Sequence, residues 1–236
     1  MGFLNAVSLS PVALVLLAVA LFIAIAILLD PRMRLLLAVA RGIDRINEFI
    51  GKSVSWLILV SILVSAGNAI IRKAFDMSSN AWLELQWYLF GAAFLLAAAH
   101  TLKQNEHIRI DIVYGLFSRR VQHWIDLFGH IFFLMPFAVL MTVYLVPYTG
   151  RSFESGEMST NSGGLIIWPA KALLLAGFFL LALQGVSEII KKIAIMRGRM
   201  DDPNPFVSAH EQAELDAKAL AEEARAGEAR ADEARA

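Results

Sequence analysis

The sequence predicts an all-α integral membrane protein with five transmembrane helices, one interfacial amphipathic helix and a polar C-terminal tail. Three observations carry that prediction. Of the 236 residues, 58% are hydrophobic and 18% charged, and the apolar residues gather into runs of about 20, the length that crosses a hydrocarbon core of about 30 Å. The runs are bounded by aromatic and polar residues of the kind that settle among lipid headgroups. Although the formal net charge is zero, Lys and Arg are segregated between alternate loops.

Pro11 to Leu29 carries no charge and is long enough to span, with neither a basic region before it nor a small-residue cleavage motif after it, so it reads as a first span (residues 1–30) rather than a signal peptide. Residues 31–52 differ. Arg34, Arg41, Arg45, Glu48 and Lys52 fall on one helical face and Leu36, Val39, Ile43, Ile46 and Ile50 on the other, the pattern of an amphipathic helix lying in the interface; a solvated linker is the alternative. Residues 53–195 then hold four more spans. Ser53 to Ile71 brings Ser61, Ser65, Gly67 and Asn68, small or polar residues that permit close helix contact in lipid.

The third span, Trp82 to Leu102, measures about 31 Å as a helix. Trp124 to Tyr148 is interrupted by Pro136, which should kink it. The polar, glycine-rich stretch Thr149 to Gly164 follows as a loop. Leu165 to Ile190 makes the fifth span, opened by Trp168 and Pro169 and closed by Lys191 and Lys192. Residues 196–236 form a tail ending in an Ala/Glu/Arg-rich near-repeat, EARAGEARADEARA, helical or disordered because it has no apolar stripe to bury.

Counting Lys and Arg by loop gives none before the first span, five in 30–52, two in 72–81, four in 103–123, one in 149–164 and four in 191–199. By the positive-inside rule the N-terminus lies outside and the C-terminus and the 103–123 loop in the cytoplasm.

The chemistry on offer is sparse. There is no cysteine, so disulfides, iron–sulfur clusters and thiolate zinc sites are excluded. No phosphate loop, HExxH or nucleophile elbow is present, so the chain reads as a non-enzyme without cofactors, and nothing in it points to nucleic acid. No acid or base lies at the middle of any span, where an ion path would place one. Glu84, about one turn into the third span, is either a hydrated interfacial carboxylate or a partner contact. Lys171 opposes the helix dipole in the first turns of the last span, and either snorkels outward or meets an acid. His100 and His130 stand at similar expected depth and could ligate a b-type haem, as in the membrane anchor of a respiratory oxidoreductase; the alternative is that each bonds backbone or water.

One stretch carries more. Glu84, the aromatic pair Trp87-Tyr88, the small run Gly91-Ala92-Ala93, and then Lys103 and His107-Ile108-Arg109-Ile110-Asp111 resemble the small membrane subunit (DctQ-like) of tripartite ATP-independent periplasmic (TRAP) transporters. The resemblance covers about 48 to 195. In that family the span ends in a basic residue and an H-hydrophobic-x-hydrophobic-acidic motif, which Lys103, His107 and Asp111 match. The last span, WPAKALLLAGFFLLALQGVSEIIKK, is similar to the branch of the family handling oxoacids, lactate or larger organic acids. The chain departs from the common four-span pattern by the helix Pro11 to Leu29 in front.

The resemblance implies a multi-pass protein of the bacterial inner membrane, a static scaffold in a sodium symporter for an organic acid. Its partners would be a large multi-span subunit carrying the substrate and sodium sites and a periplasmic substrate-binding protein. Glu84, Lys103, His107, Asp111, Trp168 and Lys171 are the expected partner-contact or structural residues. The four-residue spacing of Lys103, His107 and Asp111 would put them on one face if the helix continues past Leu102.

Overall fold

The computed structural model describes residues 11–202 apart from 31, 78, 105–113 and 115–116, together with residue 217. The described chain is helical: α1 (Pro11–Leu29), α2 (Arg34–Phe75), α3 (Asn80–Gln104), α4 (Arg119–Gly129), a π-helical turn (His130–Leu134), α5 (Met135–Ser155) and α6 (Trp168–Met196). Among the described residues four helices are long and apolar enough to cross a membrane: α2, α3, the continuous rod Arg119–Ser155, and α6. The apolar run Pro11–Ile25 of α1 is shorter than these, so the structure gives four such helices where five spans were expected.

The segment 31–52 is not an element of its own. Arg34–Phe75 is one helix of 42 residues, about 63 Å long, and the expected boundary at 52/53 falls inside it. The physical reason is that a charged face does not end a helix. No proline interrupts 34–75, and each backbone N–H there can continue the ladder. Upstream, Met33 adopts a left-handed φ of 55°, and the Asp30 carboxylate accepts from the amides of Leu35 and Arg32, each at 3.1 Å. The Leu35 amide does most to hold the Asp30 carboxyl below its usual 3.8, and this fixed charge suits the positive end of the helix dipole.

Other boundaries move for similar reasons. The helix expected to end at Tyr148 runs on to Ser155, where Gly156 at φ 61° closes it, so the polar loop begins at 156 rather than 149. Pro136 is accommodated by the π turn immediately before it, where the amide of Met135 reaches the carbonyl of His130, five residues back. Widening the helix by one residue takes up the hydrogen bond that proline cannot make. The last span continues to Met196, carrying Lys191 and Lys192 inside it instead of past its end.

Helix α6 is the hub: α2, α3 and α5 all pack against it, α2 and α3 pack on each other, and α1 rests on α5. What faces inward is small and polar. On α2 the buried positions are Leu36, Ala40, Asn47, Gly51, Val54, Ser61 and Asn68, spaced by three, four or seven, while Trp56, Leu63 and Phe75 point outward. Lipid is as apolar as leucine, so close backbone approach and interhelical hydrogen bonds, not hydrophobic burial, hold such helices together. A Cβ on Gly51 would come within 2.4 Å of His100 Cβ, and one on Gly177 within 3.0 Å of the Leu95 carbonyl. Ser61 Oγ donates to the Gln86 carbonyl at 3.2 Å.

By contact the chain divides into a body of residues 1–107 and 123–201 and a second unit of 108–122 and 202–236. In the second unit the Gln122 side-chain amide donates to the carbonyls of Tyr114 and Phe117, both at 3.0 Å. His107 and Asp111 lie outside the described residues, as does all of the tail beyond 202 except residue 217.

Because Gly177 meets backbone, Gly177→Leu is expected to lower stability by about 1–3 kcal/mol through overpacking. Gly91→Leu, where a Cβ meets nothing within 4 Å, should leave the thermal midpoint of the detergent-purified protein within about a degree of the parent.

Candidate functional site

Two polar clusters lie about 30 Å apart along α6, one at its Trp168 end and one near its Met196 end. At the Trp168 end, α3 delivers Glu84 and the loop 156–167 closes over it. That loop is a tight excursion: Met158 and Ile166 form an isolated antiparallel bridge, the Ser159 amide donates to the Leu165 carbonyl at 2.9 Å and the Ile167 amide to the Glu157 carbonyl at 2.9 Å.

Glu84 holds the loop's tip. Its Oε1 accepts from the Ser159 hydroxyl and, at 2.8 Å, from the Asn161 amide; its Oε2 accepts from the Leu165 backbone amide at 2.6 Å. A Cβ on Gly164 would sit 2.7 Å from Glu84 Oε1 and 2.6 Å from Ser159 Cβ, so this position has room only for glycine. Asn80 donates to the Ser162 carbonyl at 2.9 Å and the Tyr88 hydroxyl to the Ile166 carbonyl at 3.2 Å. Glu84 is thus more than a hydrated carboxylate: it bonds three groups of the loop within the chain.

Lys171 meets an acid. It pairs with Glu157, which also accepts from Ser152 Oγ at 2.6 Å, and its Nζ stands 4.1 Å from the centre of the Tyr148 ring. The Lys171 ammonium is the main reason the Glu157 carboxyl lies below its usual 4.5. Trp168, at the start of α6, meets Phe153 edge to face at 5.3 Å. Glu84, Trp168 and Lys171 are therefore brought together at one end, where Glu84 ties the loop to α3, Lys171 ties it to α6, and Trp168 packs α6 against α5.

The second cluster was not legible as a unit. Gln184, Ser187, Glu188 and Lys191 follow one another at spacings of three, one and three along α6, and Asp44 and Asn47 meet them from α2. Gln184, wholly buried, accepts from Asn47 at 2.7 Å and donates to both Asp44 and Glu188 at 2.8 Å. Ser187 Oγ donates to Asp44 at 2.7 Å. Lys191 Nζ lies between the carboxylates, 3.1 Å from Asp44 and 2.6 Å from Glu188. The next residue, Lys192, reaches the other way, to Asp126 on α4 at 2.8 Å. Adjacent side chains on α6 therefore clasp α2 and α4.

Of the motif residues expected at this level, Lys103 bonds Glu48 at 2.7 Å, and Glu48 also takes Lys52 at 2.6 Å; this joins α3 to α2. The signal for the missed cluster was present: polar residues at 184, 187, 188 and 191 mark one stripe of an otherwise apolar helix, as do 44 and 47 on α2. The geometry does not support a haem between His100 and His130. His100 packs onto Gly51 of α2, while His130 is on the π turn with its Nδ1 at 2.6 Å from the Asp126 carbonyl. The helix α3 packs on α2 and α6, and the π turn on α5 and α6. Among the described residues no group of three or more His, Cys, Asp or Glu is placed to hold a metal.

Comparison with known proteins adds one result. The family model described as tripartite ATP-independent periplasmic transporters, DctQ component, matches residues 61–194, more than half of the chain and all of α3 to α5. No curated protein and no solved structure matches.

Two outcomes follow from the clusters. Lys191→Met leaves the buried Glu188 and half-buried Asp44 carboxylates without their cation and should cost about 3 kcal/mol; the triple variant Asp44→Asn, Glu188→Gln, Lys191→Met should recover much of that loss in thermal unfolding. At the other end, Glu157 is ionised more readily in the folded chain, so its contribution is fully present above pH 4.5 and fades as the pH falls through its lower folded-state value. Protease nicking of the 156–167 loop should therefore rise below pH 4.5. Glu157→Gln should nick faster than the parent above pH 4.5 and rise less as the pH falls, the remaining rise coming from protonation of Glu84, which holds the loop's tip.

Proposed function

Because the chain belongs to the family of DctQ components of TRAP transporters, we propose that it is the small membrane subunit that scaffolds the large transport subunit and helps dock a periplasmic binding protein delivering an organic acid. The observation that carries this reading, beyond family membership, is where its ionisable groups are spent. Lys191 pairs with Asp44 on α2 and with Glu188 on its own helix, and Lys192 pairs with Asp126 on α4, so these groups brace the bundle instead of lining a path. A subunit built this way supplies a rigid surface and leaves the sodium and substrate sites, and the choice of acid, to its partners.

In this reading the N-terminus is periplasmic and the C-terminus cytoplasmic, α1 crosses the membrane as a fifth span, and the basic first half of α2 runs near the cytoplasmic headgroups. The 156–167 loop then faces the periplasm, where its pinned tip offers the binding protein a fixed shape. Lys103, His107 and Asp111 secure the cytoplasmic end of α3 and the large subunit.

Tagged chain expressed with the large subunit should retain it through purification; recovery of the chain alone, in a membrane where both are made, would remove the scaffold role. Alanine at His107 or Asp111 should lower uptake in proportion to the amount of assembled complex, without changing the affinity of the binding protein for its acid. Normal assembly with no uptake would instead give these residues a direct part in the transport cycle. Cysteines placed at Asn5 and Ser155 should react with an impermeant thiol reagent from outside, and one at Ser118 should not.

A further inference from the structure

We infer that the wedge between α1 and α6 binds an anionic phospholipid, one acyl chain lying in the wedge and the headgroup against the arginines at its Met196 end. The inference uses the membrane location that the family gives and does not depend on the scaffold role. The helix α1 leans on α5 and the start of α2 and stands off α6, leaving a groove of about 600 Å³ lined wholly by apolar side chains. Small residues of α1, Ala13, Ala20 and Ala24, form one wall; Ile131, Met135 and Ile193 form the other.

Such a space does not hold water, since none of its lining side chains can bond it, and it is about four times a cavity of roughly 150 Å³ that takes one benzene. From Ala13 to Ile27 it follows α1 for about 21 Å, more than the roughly 15 Å of hydrocarbon in one leaflet. Size and shape therefore match an acyl chain.

The headgroup end is set by three methionines. The groove residues Ile23, Ile27, Met135, Ile189 and Ile193 share one packed cluster with Met33, Met196 and Met200. These methionines are flanked in sequence by Arg32, Arg34, Arg197 and Arg199, all four exposed. Three acids are near them in sequence. Asp30 is committed to the first amides of α2, and Asp201 and Asp202 follow Met200. Four guanidiniums against three carboxylates leave a net positive charge that favours a phosphodiester carrying net negative charge over a zwitterion.

The test uses the full-length chain, delipidated in detergent, with dioleoyl phosphatidylglycerol or dioleoyl phosphatidylcholine added back and retention read by native mass spectrometry. One phosphatidylglycerol should be retained, at least tenfold more than phosphatidylcholine at equal concentration, with a rise in the thermal midpoint. Ala20→Phe fills the groove and should abolish retention. Ile193→Phe fills it from the other wall and serves if the first variant fails to fold. Exchanging Arg32, Arg34, Arg197 and Arg199 for Gln should bring the two lipids to the same level. Equal retention of both lipids by the parent chain, or undiminished phosphatidylglycerol on a folded groove-filled variant, overturns the proposal. Loss of the lipid when the large subunit binds overturns it too, since the groove would then belong to a helix of that partner.

Discussion

The placement of Lys191 between Asp44 and Glu188 is the constraint from which much of the bundle follows. A lysine can stay charged in such a buried position only if carboxylates come to it, and the carboxylates can stay only if the remaining oxygens find donors. Gln184 and Ser187 supply those donors from the same helix, and Asn47 anchors Gln184 in turn. Once this network is satisfied, α2 and α6 have one rotation and one register relative to each other. The Lys192 to Asp126 pair then fixes α4 on the same helix. Dispersion between lipid-like surfaces could not choose among registers in this way, because sliding one apolar face along another changes little.

The loop cluster solves the opposite problem. A twelve-residue connection between two membrane helices has backbone groups that need partners, and Glu84 satisfies three donors at once from a rigid helix end. Gly164 is required because the carboxylate approaches where a side chain would stand. Lys171 and Glu157 hold the other limb of the same loop, with Tyr148 beneath the ammonium. The shape presented at this end is therefore set by side chains from α3, α5 and α6 together.

The presence of α1, α3 and α6 was legible in the sequence, because hydrophobic run length is a local signal; the ill-placed cation at 171 was legible as well, but whether it snorkels or meets an acid depends on the loop that folds back over it. Boundaries were less so. The charged face of 34–52 predicts an interfacial helix because amphipathicity reports on location, whereas continuity of a helix depends on the absence of a breaker. The Asp44 and Glu188 network is hidden for a different reason: lysines usually end spans, so Lys191 marks a boundary in the sequence, and the stripe 184, 187, 188, 191 lies about 140 residues from its partners at 44 and 47. Only knowledge of which helices touch turns those two stripes into one network.

The π turn has a consequence for insertions and deletions. Its extra residue is absorbed without net rotation, so α4 stands about 100° from where an unbroken α-helix of the same residues would turn it, and Asp126 meets Lys192 in that phase. Deleting one residue between 130 and 134 would let the rod close as regular α-helix and leave Asp126 facing Lys192, whereas one more residue added there as regular helix would turn Asp126 about a quarter of the way round and strand Lys192 without its acid. Gap tolerance in this rod is thus asymmetric: the segment with irregular hydrogen bonding can lose a residue and keep the phase of its two ends, but cannot gain one.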